Sequence, residues 1–484
     1  MISERDILSI LPMVILAGGI ILTMLLVAIK RNHKFTFVST LTVLAFSFIS
    51  LFFAGDGLPH SIGDLFLTDR FGTYYQAIIL LAAFFVSVFS YISIQNFFPE
   101  KRKEEYYLLL MIATLGAGMI VISTHFISFF VSLEVLSVSL YGLVSYYRER
   151  TKPIEAGLKY LIIAAMSSAF LLFGMALVYA ISGNMAFRNL ADTVTHLNTS
   201  SLLMVTAGLG LMIVGIGFKL AVVPFHMWTP DVYEGASSPV SAFIASVSKG
   251  AMVALLIRFF VMANLYHFEK IIDVFTAISI LSMLIGNLLA LMQDNVKRLL
   301  AYSSIAHFGY VLVALVSGRE TGPQAATFYV TTYMPTILAA FGIVILISRS
   351  DKEATDIKDY QGLFWRKPFL SAIFSIVLLS LAGIPLTAGF MGKYFILASG
   401  VGTANWVLVF VLVISSVIGL FYYLRLIAIM MKQEKGTAPV AKTSLIFSAS
   451  GILVLAVLGV LIVWLGIYPT WLMDLVNSFL MVPH

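Results

Sequence analysis

The chain reads as an all-α integral membrane protein with about fourteen transmembrane helices. Three observations predict this. Of its 484 residues, 60% are hydrophobic and 11% charged, with a mean hydropathy of +0.98, whereas a soluble domain carries about 25% charged residues. Apolar runs of about 17–25 residues, the length of helix that crosses a bilayer, recur along nearly the whole chain. The lysines and arginines gather in alternate loops between these runs.

The runs place candidate spans near 8–29, 35–54, 72–95, 105–123, 126–146, 155–182, 202–228, 238–263, 270–291, 298–317, 322–348, 368–399, 405–431 and 443–468. The first follows an acidic head, MISERD, and is long enough to cross, which sets it apart from a cleavable signal peptide. His125 alone separates the fourth and fifth. The final stretch, PTWLMDLVNSFLMVPH, is too short to cross again and is expected to lie along the outer surface. One set of alternate loops holds Lys30, Arg31, Lys34, Lys101, Arg102, Lys103, Arg148, Arg150, Lys152, Lys297, Arg298, Arg349, Lys352, Lys358, Arg366, Lys367, Lys432, Lys435 and Lys442, which is 19 of the 30 basic residues. The other holds only Arg5, Arg70, Arg188, Lys270 and Arg319. The positive-inside rule then puts both termini outside the cytoplasm.

Pro224 lies inside the seventh span (GFKLAVVPFHMW) and Pro385 inside the twelfth (SLAGIPLTAGFMGK). Proline lacks an N–H and clashes with the preceding turn, so each helix is expected to break or kink. Broken backbone inside a bilayer is tolerated where it is buried in protein or lines a cavity. If spans 4–8 form one unit and spans 9–13 another, each broken helix is the fourth of five, and the odd count inverts the second unit. Paired interrupted helices in inverted halves point to a transporter's central pathway. The expected organisation is a three-helix segment over 1–104, a first repeat over 105–263, an inverted second repeat over 270–431, and a last helix with an outer-surface C-terminus over 432–484. The halves share no clear residue-level similarity, so this expectation rests on topology.

Glu134, Lys219, Lys249 and Lys393 lie deep within apolar sequence. A charge at bilayer depth costs at least about 2.5–3.5 kcal/mol on insertion scales, and such residues face a bundle interior and mark ion or proton paths. A lysine near a helix end would instead snorkel to the interface, but Lys249 and Lys393 are too far inside their spans. A lysine between burial and a neighbouring carboxylate gains and loses a proton readily, as a relay requires. Glu134 is the only acid near the centre of any span; its plain alternative is a hydrogen-bonded structural carboxyl. Lys159 follows Glu155 by four residues, the favourable order for a helix ion pair, so pairing and a relay role both stand. His226 and His307 are relay candidates or hydrogen-bonded core histidines. Asp231 and Glu234 are either proton-attracting groups at a cytoplasmic mouth or capping acids. Asp294, Lys297 and Arg298 are expected at the membrane interface.

There is no cysteine, which excludes disulfides, thiolate-held iron–sulfur clusters and cysteine zinc sites. Gly208, Gly210, Gly215 and Gly217 form a run inside an apolar helix, which suits close helix packing rather than a nucleotide loop. No Walker A, HExxH or Ser–His–Asp pattern occurs. Basic residues confined to alternate short loops do not suit nucleic-acid binding; the surroundings are the lipid bilayer.

The stretch KLAVVPFHMWTPDVYEGASSPVSAFIASVSK, from Lys219 to Lys249, closely resembles the signature of the antiporter-like subunits of respiratory complex I, the proton-pumping NADH:quinone oxidoreductase. DNVKRLLAYSSIAHFGY (Asp294 to Tyr310) and LAGIPLTAGFMGKYFIL (Leu381 to Leu397) match two further family segments, and the resemblance runs over nearly all of the chain. Of the three bacterial types, L, M and N, the wording HMWTPDVYEGASSPV, the lysine at 393 and the lack of a long C-terminal lateral helix resemble the N type. Ser237 and Ser238 stand where the family loop usually reads Pro-Thr. The resemblance implies Glu134 paired with Lys219 on broken helix 7, Lys249 as central relay and Lys393 as terminal residue on broken helix 12. Lys159 and His226 match polar axis positions. It further implies a multi-pass protein of the bacterial plasma membrane. NADH, FMN, iron–sulfur clusters and quinone would belong to partner subunits, with no cofactor in this chain, and the partners would include paralogous antiporter-like subunits. A multi-subunit sodium/proton antiporter shares this fold and the Glu–Lys pair and is the alternative; a related membrane hydrogenase subunit is a third reading.

Overall fold

The computed structural model describes residues 4–54, 58–97, 103–194, 198–348, 352–432 and 445–480. Lys101, Arg102, Arg349, Lys435 and Lys442 of the basic loops, and the C-terminal His484, lie outside the described residues. Thirteen helices among the described residues are long and apolar enough to cross a bilayer. The fourteenth span is the broken pair Pro368–Ala382 and Ala388–Gly402. Most expected bounds hold within a few residues: the fifth span is Phe126–Val144, the sixth Thr151–Ser182, the ninth Glu269–Leu291 and the tenth Val296–Val316.

Both of these spans are interrupted, whereas Pro335 sits inside the unbroken eleventh span, Gly322–Ile347. The seventh span runs Thr199–Leu220 and then leaves the helix, so Pro224 lies in an irregular connection before a short helix, Trp228–Gly235. Ala221 closes the first half in the left-handed region at φ 58°, and Gly383 closes the first half of the twelfth span at φ 83°. The two caps share their hydrogen bonds. Val222 N–H donates to Gly217 O, and Ile384 N–H donates to Leu379 O, each at 3.0 Å.

Two elements escape a hydropathy reading. A two-stranded antiparallel hairpin, His60–Ile62 with Phe66–Thr68, precedes the third span. The eighth span, Ser238–Met262, contains a π-helical turn at Ile244–Ser248, immediately before Lys249. The C-terminal helix Pro469–Leu480 is too short to cross and packs on the third and eleventh spans; Phe479 meets the Tyr74 ring at 5.2 Å.

Burial sorts the spans. The most apolar windows of spans 8, 10 and 11 are 100%, 94% and 89% buried, whereas spans 2, 6 and 13 reach 33%. Spans 8, 10 and 11 therefore form the centre, and the others present apolar faces such as Leu158, Ile162, Met166 and Phe173 of span 6 outward. A polar group on a central span has no access to lipid or bulk water and must find its partners within the protein.

The two halves also share a backbone pattern at a constant offset of 170 residues. Phe126 N–H donates to Met185 O, and Val296 N–H donates to Thr355 O. Phe187 N–H donates to Thr124 O, and Ile357 N–H donates to Asp294 O. These bonds surround isolated bridges between His125 and Ala186 and between Asn295 and Asp356. His125 and Asn295 each cap the following helix with a side-chain acceptor. Gly116 and Gly286 permit matching close approaches. A Cβ on Gly116 would lie 2.6 Å from Leu136 N and 2.9 Å from Ser132 O; on Gly286 it would lie 2.7 Å from Ala306 N and 3.0 Å from Tyr302 O. Five crossings separate His125 from Asn295, so the two caps start from opposite ends of the bundle.

Candidate functional site

Buried lysines sit at or beside the irregular points of the fold, the two broken spans and the π-helical turn. Lys219 occupies the last turn before the seventh-span break and is 3% exposed. Its ammonium donates to Ser137 Oγ at 2.6 Å and to the Tyr160 hydroxyl at 3.4 Å. It lies 5.3 Å from the centre of the Tyr160 ring. Ser137 in turn donates to Leu133 O.

Glu134 sits one turn before Ser137 and is partly buried. Its Oε1 accepts from Ser168 Oγ at 2.6 Å. Glu134 and Lys219 form no ion pair within 4.0 Å; Ser137 takes the ammonium instead. The direct pairing expected from the sequence is thus replaced by two adjacent serine-held groups. The side chains stand about one helical turn apart on the fifth span, a rise of roughly 4.5 Å.

Lys249, fully buried, donates to Ser304 Oγ at 2.8 Å and faces the Phe308 ring at 4.6 Å and the Tyr233 ring at 5.8 Å. His307, one turn beyond Ser304, lies between two tyrosines: Nδ1 bonds Tyr329 Oη and Nε2 bonds Tyr423 Oη, which continues to Ser303. The hydroxyls of Tyr233 and Tyr333 are buried without a hydrogen-bond partner among the described residues. A cavity of about 10 Å³, sized for a single water, lies between His307, Tyr329 and Tyr333 and the break residues Ser380, Leu381 and Gly389.

Lys393 is on the second half of the broken twelfth span but reaches back to the first. It donates to Leu381 O at 3.1 Å, Ala382 O at 2.8 Å and Ser416 Oγ at 2.7 Å, and lies 5.1 Å from the Tyr310 ring centre. The carbonyls at a helix C-terminus carry partial negative charge, so an ammonium there is favoured without a carboxylate. Among the described residues no carboxylate comes within 4.0 Å of Lys219, Lys249 or Lys393.

The remaining sequence candidates fall elsewhere. Lys159 is 45% exposed and pairs with Glu155 at 2.8 Å and Asp231 at 3.0 Å. Asp231 and Glu234 both also take Arg298, and Glu234 takes Lys152. These groups surround a cavity of about 110 Å³ at the end of the bundle where the basic loops lie. Burial would raise the Asp231 and Glu234 carboxyls, but hydrogen bonds and charge from Arg298, Lys159 and Lys152 offset it and hold both below the ordinary range. His226 lies buried in the seventh-span connection, and its Nδ1 has no hydrogen-bond partner among the described residues.

Lys297, at the start of span 10, is fully buried, ion-paired with Glu353 at 2.7 Å and bonded to Ala236 O. Glu353 also accepts from Ser238 N–H, so one carboxylate ties the starts of spans 8 and 10 together. A second buried pair, Arg258 with Asp69 and Val121 O, joins span 8 to the start of span 3 at the opposite end. These pairs, and the neutral partners Ser137, Tyr160, Ser304, Tyr329, Tyr423 and Ser416, were missed by sequence reasoning. Serine and tyrosine are ordinary in membrane helices, and only the clustering of SSIAHFGY hinted at them.

A family model described as NADH:quinone oxidoreductase/Mrp antiporter, TM matches residues 123–419. A NADH-quinone oxidoreductase subunit N from Ectopseudomonas mendocina is 41% identical, covering 99% of this chain and 98% of its own. Its counterpart from Acinetobacter baumannii is 40% identical, covering 98% and 96%. A chain of respiratory complex I from Thermus thermophilus, solved with bound Aureothin, superposes with a TM-score of 0.81 at 30% identity, covering 96% of this chain and 98% of that one. A chain of the Mrp complex from Dietzia sp. DQ12-45-1b shares the fold alone, with a TM-score of 0.84 at 19% identity over 98% of this chain and 97% of that one.

Proposed function

The chain belongs to the NADH:quinone oxidoreductase/Mrp antiporter membrane family, and on that premise we propose that it carries protons along its buried lysine file as an N-type subunit of an NADH-quinone oxidoreductase. The carrying observation is that Lys219, Lys249 and Lys393 are buried yet held only by hydroxyls, carbonyls and ring faces. An ammonium with neutral partners can give up its proton without leaving a stranded counter-charge. In the order Glu134, Lys219, Lys249, His307 and Lys393, each is linked to a serine or tyrosine hydroxyl, which both donates and accepts. Lys159, Asp231 and Glu234 form the charged mouth, and His226 lies in the connection beyond Lys219.

The redox chemistry belongs to partner subunits carrying NADH, FMN, iron–sulfur and quinone sites, and paralogous antiporter-like subunits are neighbours. Residues 105–263 and 270–431 act as two inverted units, flanked by 1–104 and 432–484. Both termini lie outside the cytoplasm, and the protein resides in a bacterial plasma membrane. Labelling the Lys352 loop in intact cells tests the orientation: reaction from outside would overturn it.

The whole complex, reconstituted in vesicles, tests the function. Proton uptake driven by NADH and quinone is expected, and it is expected to fail in Lys249→Ala while the complex assembles. Normal pumping by that variant would remove Lys249 from the path. Sodium-dependent exchange without electron transfer would favour the antiporter alternative.

A further inference from the structure

We propose that Ser304 is the positioning residue of Lys249 and stands where the first unit keeps its carboxylate, so that this lysine is held in both protonation states rather than pinned in one. The inference rests on the proton-carrying reading of Lys249. It is carried by the 170-residue offset, which holds at the backbone bonds of Phe126 and Val296 and at the glycine contacts of 132/136 and 302/306. Carried along the same helix, that offset sets Glu134 against Ser304 and Ser137 against His307.

The two positions do different things. In the first unit the serine takes the lysine and the carboxylate takes Ser168. In the second unit the histidine takes two tyrosines, and the carboxylate's place is filled by Ser304. Its hydroxyl receives Lys249, a residue of the first unit's own fifth helix. The contact therefore joins the two units at the most buried span of the bundle.

Chemistry explains the residue type. A carboxylate is acceptor-only and attracts charge, so at 2.8 Å it would fix the ammonium in place. A hydroxyl accepts from an ammonium and donates to a neutral amine. Ser304 can keep Lys249 aimed along the file before and after its proton leaves. The aromatic faces of Phe308 and Tyr233 flank the charge without a competing acceptor of full charge.

The test uses the assembled complex in vesicles, reading the rate of proton uptake driven by NADH and quinone, with assembly checked on native gels. Ser304→Thr retains the hydroxyl and is expected to pump at close to the wild-type rate. Ser304→Val has nearly the shape of threonine without the hydroxyl and is expected to lose roughly tenfold or more. Ser304→Asp keeps an acceptor and is nevertheless expected to pump poorly, a result that simple anchoring of the lysine does not give. In a Lys249→Ala background, Ser304→Val is expected to add no loss, because both act on one step. Normal pumping by assembled Ser304→Val or Ser304→Asp overturns the assignment while leaving Lys249 in the path. Normal pumping by Lys249→Ala overturns the underlying reading and this assignment with it.

Discussion

The seventh and twelfth spans break in the same way and use the break differently. Each first half ends in a left-handed residue, Ala221 or Gly383, with matched cap hydrogen bonds. In the seventh span a carbonyl of the last turn, Phe218 O, is taken by the indole N–H of Trp228 at 3.0 Å, which leaves Lys219 free to bond Ser137. In the twelfth span the end carbonyls of Leu381 and Ala382 are taken by Lys393 itself. One break separates structural capping from the ionisable group; the other gives both tasks to one lysine. The lesson is that two buried lysines of the same family of positions need not respond alike to removal.

Lys393→Ala should therefore have the largest effect. It removes a proton-carrying group and leaves two buried carbonyls unpaired, at about 1–3 kcal/mol each. Both pumping and assembly are expected to fall, read by vesicle proton uptake and native gel. Lys219→Ala comes next. Pumping and coupled quinone reduction should drop on the order of 10²-fold, as for loss of a general acid–base group, while assembly persists because Trp228 still caps the turn. Glu134→Ala should match it, Glu134→Asp should do less, and the double variant should be little worse than either. If Lys219→Ala disrupts assembly as strongly as Lys393→Ala, the contrast between the breaks is wrong.

Gly383→Ala should act through both tasks at once. It imposes a left-handed alanine at about 1–2 kcal/mol, and its Cβ would lie 2.8 Å from Lys393 Cδ. Slower pumping with modest loss of thermal stability is expected. The reverse change, Ala221→Gly, relieves the same strain but loosens the unfolded chain, so its melting temperature should stay within a few degrees of the parent's.

The smallest effect is a pH dependence. The helix after the seventh-span break carries Asp231 and Glu234 in ion pairs, and both carboxyls are held low by Arg298 and the neighbouring lysines despite burial. A depressed carboxyl stabilises the fold fully above its unfolded value and loses that contribution as pH falls through its folded value. Thermal stability should thus be flat from pH 7 to about 5 and decline below about pH 4. Asp231→Asn should flatten that decline.

Much of this was legible in the sequence because hydrocarbon is an unforgiving solvent. Span length and the cost of Lys249 or Lys393 at depth follow from residue type alone, whereas proline interrupts the seventh and twelfth spans but not the eleventh, which holds Pro335. The partners do not. Ser137 and Tyr329 are neutral and common in apolar helices, so nothing in their spacing singles them out, and Ser304 is marked only by its place in SSIAHFGY. Glu134 and Lys219 looked like a pair because opposite charges attract, yet a serine one turn along was better placed. Lys297 gave no sign of its burial because its partner Glu353 lies 56 residues away. Two units over spans 4–8 and 9–13 were expected from topology, but the 170-residue register between the halves was not legible, because it is kept by backbone bonds and glycine contacts that side-chain similarity does not record.

The π-helical turn at Ile244–Ser248 bears on what kinds of genetic change the eighth span can absorb. Such a turn holds one residue more than the α-helix around it. Deleting a single codon there, Ala245 for instance, would restore a regular helix and swing everything before it by about 100° relative to Lys249. A helix on the rim could roll to compensate. This one is buried on every side from Ser238 to Phe260, so no rotation is open to it. Its residues can be exchanged for others of similar volume, but its length is fixed, and insertions and deletions will be confined to the loops on either side.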